Sequence, residues 1–232
     1  MSLPRALLFD VFGTVVDWRT GVAREAAVIL SADVDWLAFA DAWRDRYQPA
    51  MQEVRSGRRP WTILDVLHYE NLEAVLRAFD IADVPAQQLA ELNRAWHRLD
   101  PWPDAVAGLQ RLKQRFIVAP HSNGNISLLV NMAKRAGLPW DVILGAEVVR
   151  AYKPLPQSYT RAVAALGLAP DQCMMVAAHN GDLGAAQAQG LQTAFVPRPR
   201  EHGPQQSTDL MPAGDWTIVA EDFEDLAAQL GA

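Results

Sequence analysis

The stretch LLFDVFGTVVDW, Leu7–Trp18, sets one carboxylate, Asp10, at the end of a run of residues that favour burial. A continuous apolar run closed by a turn residue such as Gly13 reads as a strand covered on both faces. ALLFDVF is therefore expected to be a strand of a parallel sheet, with Asp10 at its carboxyl end. Thr14 follows just past the glycine. The residue two beyond Asp10 is Phe12, where a second acid would have made a carboxylate pair.

Outward from this strand the chain changes character. After Trp18 apolar residues recur at three- and four-residue spacing, predicting helices near 20–31, 33–54, 61–79 and 86–97. Ser31 and Pro85 stand near the boundaries, as caps and breaks should. LDPWPDA, Leu99–Ala105, punctuates the chain with two prolines. From there strands and helices alternate. RFIVAPHS, DVILGAEV, QCMMVAAH, QTAFVPR and WTIVA read as strands. NISLLVNMAKRAG, SYTRAVAALG and DLGAAQAQG read as helices, the first two ending at Gly137 and Gly167, and a short acidic helix closes the chain. Strands that alternate with helices make a parallel sheet with both faces covered. The expected fold is thus α/β, with a core of 1–15 and 99–232. The helical stretch 16–98 is an insertion after the first strand, forming a cap over the sheet.

Composition narrows the function. Of 232 residues 50% are hydrophobic and 21% charged, an ordinary globular balance. A net charge of -6 argues against a nucleic-acid footprint or a basic membrane patch. No apolar stretch is long enough to span a bilayer, and MSLPRALLFD lacks a small-residue cleavage site, so it is expected to lead into the first strand. The single cysteine, Cys173, excludes an internal disulfide, fits a reducing cytoplasmic compartment, and is expected to be a packed thiol in its strand.

In a doubly covered sheet the active crevice lies beyond the carboxyl ends of the strands. Asp10 ends the first strand there. Alone, such a residue could simply cap a turn. The next strand ends in HSNGN, with Ser122 and Asn123 in a turn that offers backbone N–H groups to an anion. AYKPLPQSY brings Lys153, held between Tyr152 and Pro154, and AAHNGD brings His179 and Asp182. Carboxylates, hydroxyl and ammonium converging from four strand ends read as an active site.

In this order FDVFGT, SNGN, YKP and NGD resemble the haloacid dehalogenase superfamily, over essentially the whole chain. The resemblance implies a doubly wound, Rossmann-like sheet with a nucleophilic Asp10 and a helical cap. Most members are magnesium-dependent phosphatases, with a second Asp two residues after the nucleophile and an acidic pair in the fourth motif. Here Phe12 donates no proton, and Ala178 leaves only Asp182 of the pair. A hard cation wants several oxygen ligands. FDVFGTVVDWR, AWRDRY, SNGN and YKPLPQSY resemble instead the (S)-2-haloacid dehalogenases, in which halide leaves without a proton and no metal or other cofactor is expected.

That resemblance implies small halogenated carboxylates as substrates, hydrolysed to 2-hydroxy acids through an ester on Asp10 with inversion at C2. Lys153 would favour the ionised Asp10, and Thr14 would aim it. Ser122 and neighbouring N–H groups would hold the substrate carboxylate. Arg44, matching the family's cap arginine, and Asn123 would receive the halide. Tyr159 would border the site. Phe12, Trp18 and Trp61 would form a wall that excludes water. The fourth motif departs from better-known members at Ala177 and His179. His179 is read as a base for water oriented by Asp182, or alternatively as a structural histidine. His121 should point away from Ser122. An atypical phosphatase and a non-catalytic binding protein are the alternatives, and the resemblance also admits a homodimer.

Overall fold

The computed structural model describes residues 3–232, so the first two residues of the expected core segment 1–15 lie outside it. β1 (Ala6–Phe9) is buried throughout. Its side chains alternate, Leu7 and Phe9 facing one apolar layer and Ala6 and Leu8 the other. β2 (Val16–Asp17) leads into a helical insertion of α1 (Trp18–Ile29), α2 (Trp36–Asp45), α3 (Tyr47–Arg55), α4 (Leu64–Ala78) and α5 (Ala86–Asn93), closed by a 3₁₀ turn at Arg94–His97. β3 (Asp100–Pro101) returns antiparallel beside β2, so the chain enters and leaves the insertion through paired segments.

The remaining elements are α6 (Ala105–Leu112), β4 (Ile117–Ser122), α7 (Ile126–Ala136), β5 (Leu144–Gly145), α8 (Ala146–Val149), α9 (Pro156–Ala165), β6 (Cys173–Ala177), α10 (Asn180–Gln187), β7 (Gln192–Phe195), β8 (Ile218–Val219) and α11 (Phe223–Gln229). Six strands form one sheet in the order β5-β4-β1-β6-β7-β8, every pairing parallel. Side chains of α6, α7 and α11 share the Leu7–Phe9 layer, and those of α9 and α10 share the Ala6–Leu8 layer. This is the doubly wound parallel sheet expected from the alternating pattern. With β1 central, Asp10 emerges between the ends of β4 and β6.

The observed elements differ from the expected ones in several places: α6, β2 and β3 were not expected, and three expected elements are altered. The helix expected over 33–54 is two helices broken at Arg46, because Pro49 has no N–H and is tolerated only in a helix's first turn. DVILGAEV is only the two-residue β5 followed by α8. Its would-be ladder is replaced by Asp141, whose N–H donates to the Val118 carbonyl and whose carboxylate accepts from the Val118 N–H, both at 2.9 Å. Gly145 lets β5 approach the turn after β4, where a Cβ would lie 2.5 Å from the Gly124 carbonyl. WTIVA contributes only the two residues of β8.

Asp65 and His97 fix the insertion over the strand ends, Asp65 through Asn125 and His97 through Asn131 of α7, which meets its Nδ1 at 3.0 Å. Asn125, from the turn after β4, donates to Asp65 Oδ2 at 2.9 Å and accepts from the Asp65 N–H at 3.2 Å. His97 Nε2 meets Asp65 Oδ1 at 3.0 Å. Behind them His68 is fully buried, stacked on Trp96 at 4.4 Å, with neither ring nitrogen hydrogen-bonded. Burial lowers its pKa to about 3. The unfolded chain would bind this proton near pH 6.5 and the folded chain resists it, so stability is full above pH 6.5 and is lost as pH falls toward 3. His68→Phe should therefore recover on the order of 3 kcal/mol of the wild type's loss in unfolding free energy between pH 7 and pH 4, read from urea titrations at the two pH values.

Candidate active site

Asp10 and Lys153 are both nearly buried, at 7% exposure each. The Lys153 ammonium donates to Asp10 Oδ1 at 2.8 Å and to Asp182 Oδ2. Thr14 Oγ1 donates to Asp10 Oδ2 at 2.7 Å and accepts the Ala178 N–H at 3.0 Å, which ties the turn after β1 to the end of β6. Tyr159, on α9, donates its hydroxyl to Asp182 Oδ1 at 2.6 Å. Burial pushes the Asp10 carboxyl up, but Lys153 and His179 beside it overcome that and hold it far below the usual carboxylate range. Burial raises Asp182, so of the two acids sharing one ammonium Asp10 is the more firmly ionised. Burial works against the Lys153 charge, and Asp10 and Asp182 more than restore it.

The insertion places this lysine. Asn123 Oδ1 accepts the Lys153 N–H at 2.8 Å, and Arg55 of α3 donates to the Lys153 carbonyl at 2.9 Å. The neighbouring Tyr152 donates its hydroxyl to the Thr62 carbonyl at 2.7 Å.

His179 does not pair with Asp182, contrary to the sequence reading. Its Nδ1 meets Asp10 Oδ2 at 2.9 Å and its Nε2 meets Glu201 Oε2 at 2.8 Å. Asp182 stands in the first turn of α10, its oxygens already taken by Lys153 and Tyr159. Burial opposes a charge on His179, but the carboxylates of Glu201 and Asp10 outweigh it, and the ring titrates well above the ordinary imidazole value. Sequence reading missed Glu201. It lies in an irregular loop after β7, and its only trace in the sequence is Gly13. That residue has φ +87°, and a Cβ there would fall 2.0 Å from Glu201 Oε1. Trp18 Nε1 donates to the same oxygen at 2.9 Å, so Trp18 positions Glu201.

Asp10, Lys153, Tyr159, His179, Asp182 and Glu201 line a cavity of about 820 Å³, together with Phe12, Arg44, Tyr47 and Asn123. The Arg44 guanidinium lies over the rings of Tyr47, Trp18 and Phe12, at 4.2, 5.3 and 5.7 Å. Its Nη1 is buried without a hydrogen-bond partner, a donor left for an anion. Three expected residues are not in the lining. Trp61 stacks on Tyr152 at 4.9 Å, behind the Lys153 turn. Ser122 turns inward, its Oγ accepting the Gly124 N–H at 3.1 Å, and so shapes the SNGN turn. Trp18 is likewise behind the wall. His121 points away as expected, edge-on to Tyr159 at 5.2 Å. Cys173 is buried in β6, its thiol pushed up to about 11 by that burial.

The donor set does not fit the divalent cation of the phosphatases. Ala178 offers no side-chain oxygen, and both oxygens of Asp182 are occupied by protein donors. Among the described residues no helix is long and apolar enough to cross a membrane.

A family model of haloacid dehalogenase-like hydrolases matches residues 4–190, and the chain belongs to that family. The particular relatives narrow the class. (S)-2-haloacid dehalogenase 4A of Burkholderia cepacia is 31% identical over 200 residues, covering 84% of this chain and 83% of its own. A solved defluorinating L-2-haloacid dehalogenase superposes with a TM-score of 0.97 at 56% identity, over 99% of this chain and 96% of that one. A second solved L-2-haloacid dehalogenase gives 0.95 at 45% identity, over 98% and 99%. The chain is an enzyme, a hydrolase whose relatives act on carbon–halide bonds.

Gly13→Ala should drive Glu201 off its partners and strain a left-handed backbone position. The expected loss is about 2 kcal/mol or more of unfolding free energy, with a lowered His179 pKa visible in the histidine ring NMR signals.

Proposed function

We propose that the enzyme hydrolyses small 2-haloalkanoic acids, haloacetates and (S)-2-haloacids, to 2-hydroxy acids through an ester on Asp10. The observation that carries this reading is an ionised Asp10 facing a cavity in which a buried guanidinium nitrogen, Arg44 Nη1, has no hydrogen-bond partner and Phe12 stands where a phosphatase keeps its second acid. Asp10 attacks C2 in line, the C–X bond breaks, and the carbon inverts. The leaving halide needs positive charge in a dry site and no proton. Arg44, packed among Phe12, Trp18 and Tyr47, supplies the first, and Asn123 borders the same cavity. Phe12 adds apolar wall where a phosphatase keeps its general acid. Backbone N–H groups in the turns after Asp10 and after β4 hold the substrate carboxylate, and the helical insertion acts as a cap. Water then hydrolyses the ester, and Asp182, its proton affinity raised by burial, takes the water's proton. No step calls for a metal.

Fluoroacetate belongs among the candidate substrates, because the relative at 56% identity is described as defluorinating. Purified enzyme should release halide from chloroacetate and (S)-2-chloropropionate equally with and without a chelator, and Asp10→Asn should abolish that release. Magnesium-dependent release of phosphate from a phosphate ester, without halide release, would sink the reading.

A further inference from the structure

Asp10 presents its two oxygens unequally. Oδ1 accepts one hydrogen bond, from Lys153 at 2.8 Å, whereas Oδ2 accepts two, from Thr14 at 2.7 Å and His179 at 2.9 Å. A carboxylate oxygen has about two lone-pair sites. Those on Oδ2 are filled and one on Oδ1 is open. Alkylation therefore falls on Oδ1 and leaves Oδ2 as the carbonyl oxygen of the ester. That oxygen gathers negative charge when water adds to Cγ, and its donors are already aimed at it. Neither nitrogen of His179 is free to receive a proton from water, since Nδ1 is held by Asp10 and Nε2 by Glu201.

We propose that His179 works as an imidazolium, donating with Thr14 to the oxyanion on Oδ2 during ester hydrolysis, and that Glu201 is the positioning residue that keeps it protonated. The role rests on the aspartyl-ester reading above. Ester formation removes the Asp10 charge, and Glu201 is then the one carboxylate left on the ring. The charged groups around the pair are Lys153 across Asp10, Asp182 beyond it, Arg44 acting on Glu201, and His202 Nε2 at 3.6 Å from Glu201 Oε1. Glu201 is pushed up by burial but held below the usual range by His179, which is the other half of the same ion pair.

The step balances without a proton on or off His179. Water forms a bond to Cγ, the C=O electron pair moves to Oδ2, and the water's proton passes to Asp182. Collapse re-forms the C=O bond and breaks Cγ–Oδ1. The departing alkoxide takes a proton from Lys153, which Asp182 reprotonates. The hydroxyl left on Cγ ionises, its proton goes to solvent, and Asp10 is again a carboxylate.

A base and an imidazolium donor give opposite pH slopes. Rapid-mixing single turnovers with (S)-2-chloropropionate separate halide release from ester decay, the latter followed by intact protein mass. The hydrolysis rate constant of the wild type should rise at low pH as Asp182 ionises, run flat, and then fall as His179 loses its proton. Glu201→Gln should move that fall down by about one pH unit or more. His179→Asn should slow hydrolysis by about 10²–10³-fold and accumulate the ester, with halide release far less affected. A hydrolysis rate that rises through the His179 titration in the wild type, where folding is not in question, overturns the imidazolium role. An unmoved profile in Glu201→Gln overturns the role of Glu201. Halide release with no ester mass, even in His179→Asn, overturns the covalent route itself.

Discussion

The buried contact between the Asp10 carboxylate and the Lys153 ammonium is the constraint on which the remaining structure turns. Either charge alone in this interior would be expelled or neutralised, because desolvation costs several kcal/mol per ion. Together they persist only if both are held at hydrogen-bond distance. The sheet holds one of them. β1 is the central strand, flanked by β4 and β6, so Asp10 is fixed by parallel ladders on both sides. Lys153 lies in a loop with no ladder, and three side chains replace it: Asn123 on its N–H, Arg55 on its carbonyl, and Tyr152 next door on Thr62. Two of these contacts come from the helical insertion. The insertion thus covers the site and also completes its ion pair, which explains why a helical segment of this size can sit inside the first crossover without loosening Asp10.

Most of this arrangement could be read from the chain. β1 and β6 are unbroken apolar runs and β4 begins as one, and the alternation of strands with helices places Asp10, Ser122 and His179 at one edge of the sheet. Lys153 was legible through the Tyr and Pro that flank it. Arg44 was legible through its likeness to the family's cap arginine and through Tyr47, three residues on, one of the rings it lies over. What could not be read depends on contacts between distant segments. Trp61 and Ser122 have the right chemistry at the right distance along the chain, yet one side chain stacks behind the lysine turn and the other closes its own turn. Periodicity fixes a face and says nothing about which of two hydrogen-bond partners a rotamer selects. The pairing of His179 is the sharpest case. Asp182 is three residues away on the same turn and looks like its orienter. The actual partner, Glu201, comes from a loop with no period at all, anchored by Arg198, which forks onto Asp104 at 2.8 Å and donates to the Thr14 carbonyl at 2.9 Å.

On the proposed route Phe12 and Glu201 serve the same chemistry. A phenyl ring at the position of a general acid removes a proton donor and lines the cavity with apolar surface, as do the rings around Arg44. A drier site strengthens every charge in it, which suits a halide leaving as an anion. The same dryness makes an unpaired charge harder to keep, so a route that calls for no metal must balance its charges with the site's own side chains. Lys153 is shared between Asp10 and Asp182, and His179 between Asp10 and Glu201. On the proposed route Asp10 becomes neutral midway through the reaction. Lys153 still has Asp182 at that moment, and His179 still has Glu201. Each cation therefore keeps one carboxylate through the ester intermediate. A lone histidine facing Asp10 would lose its proton when the ester forms, just as the carbonyl oxygen comes to need a donor. The second carboxylate, with Gly13 cleared of a side chain to admit it and Trp18 hydrogen-bonded behind it, is what prevents that.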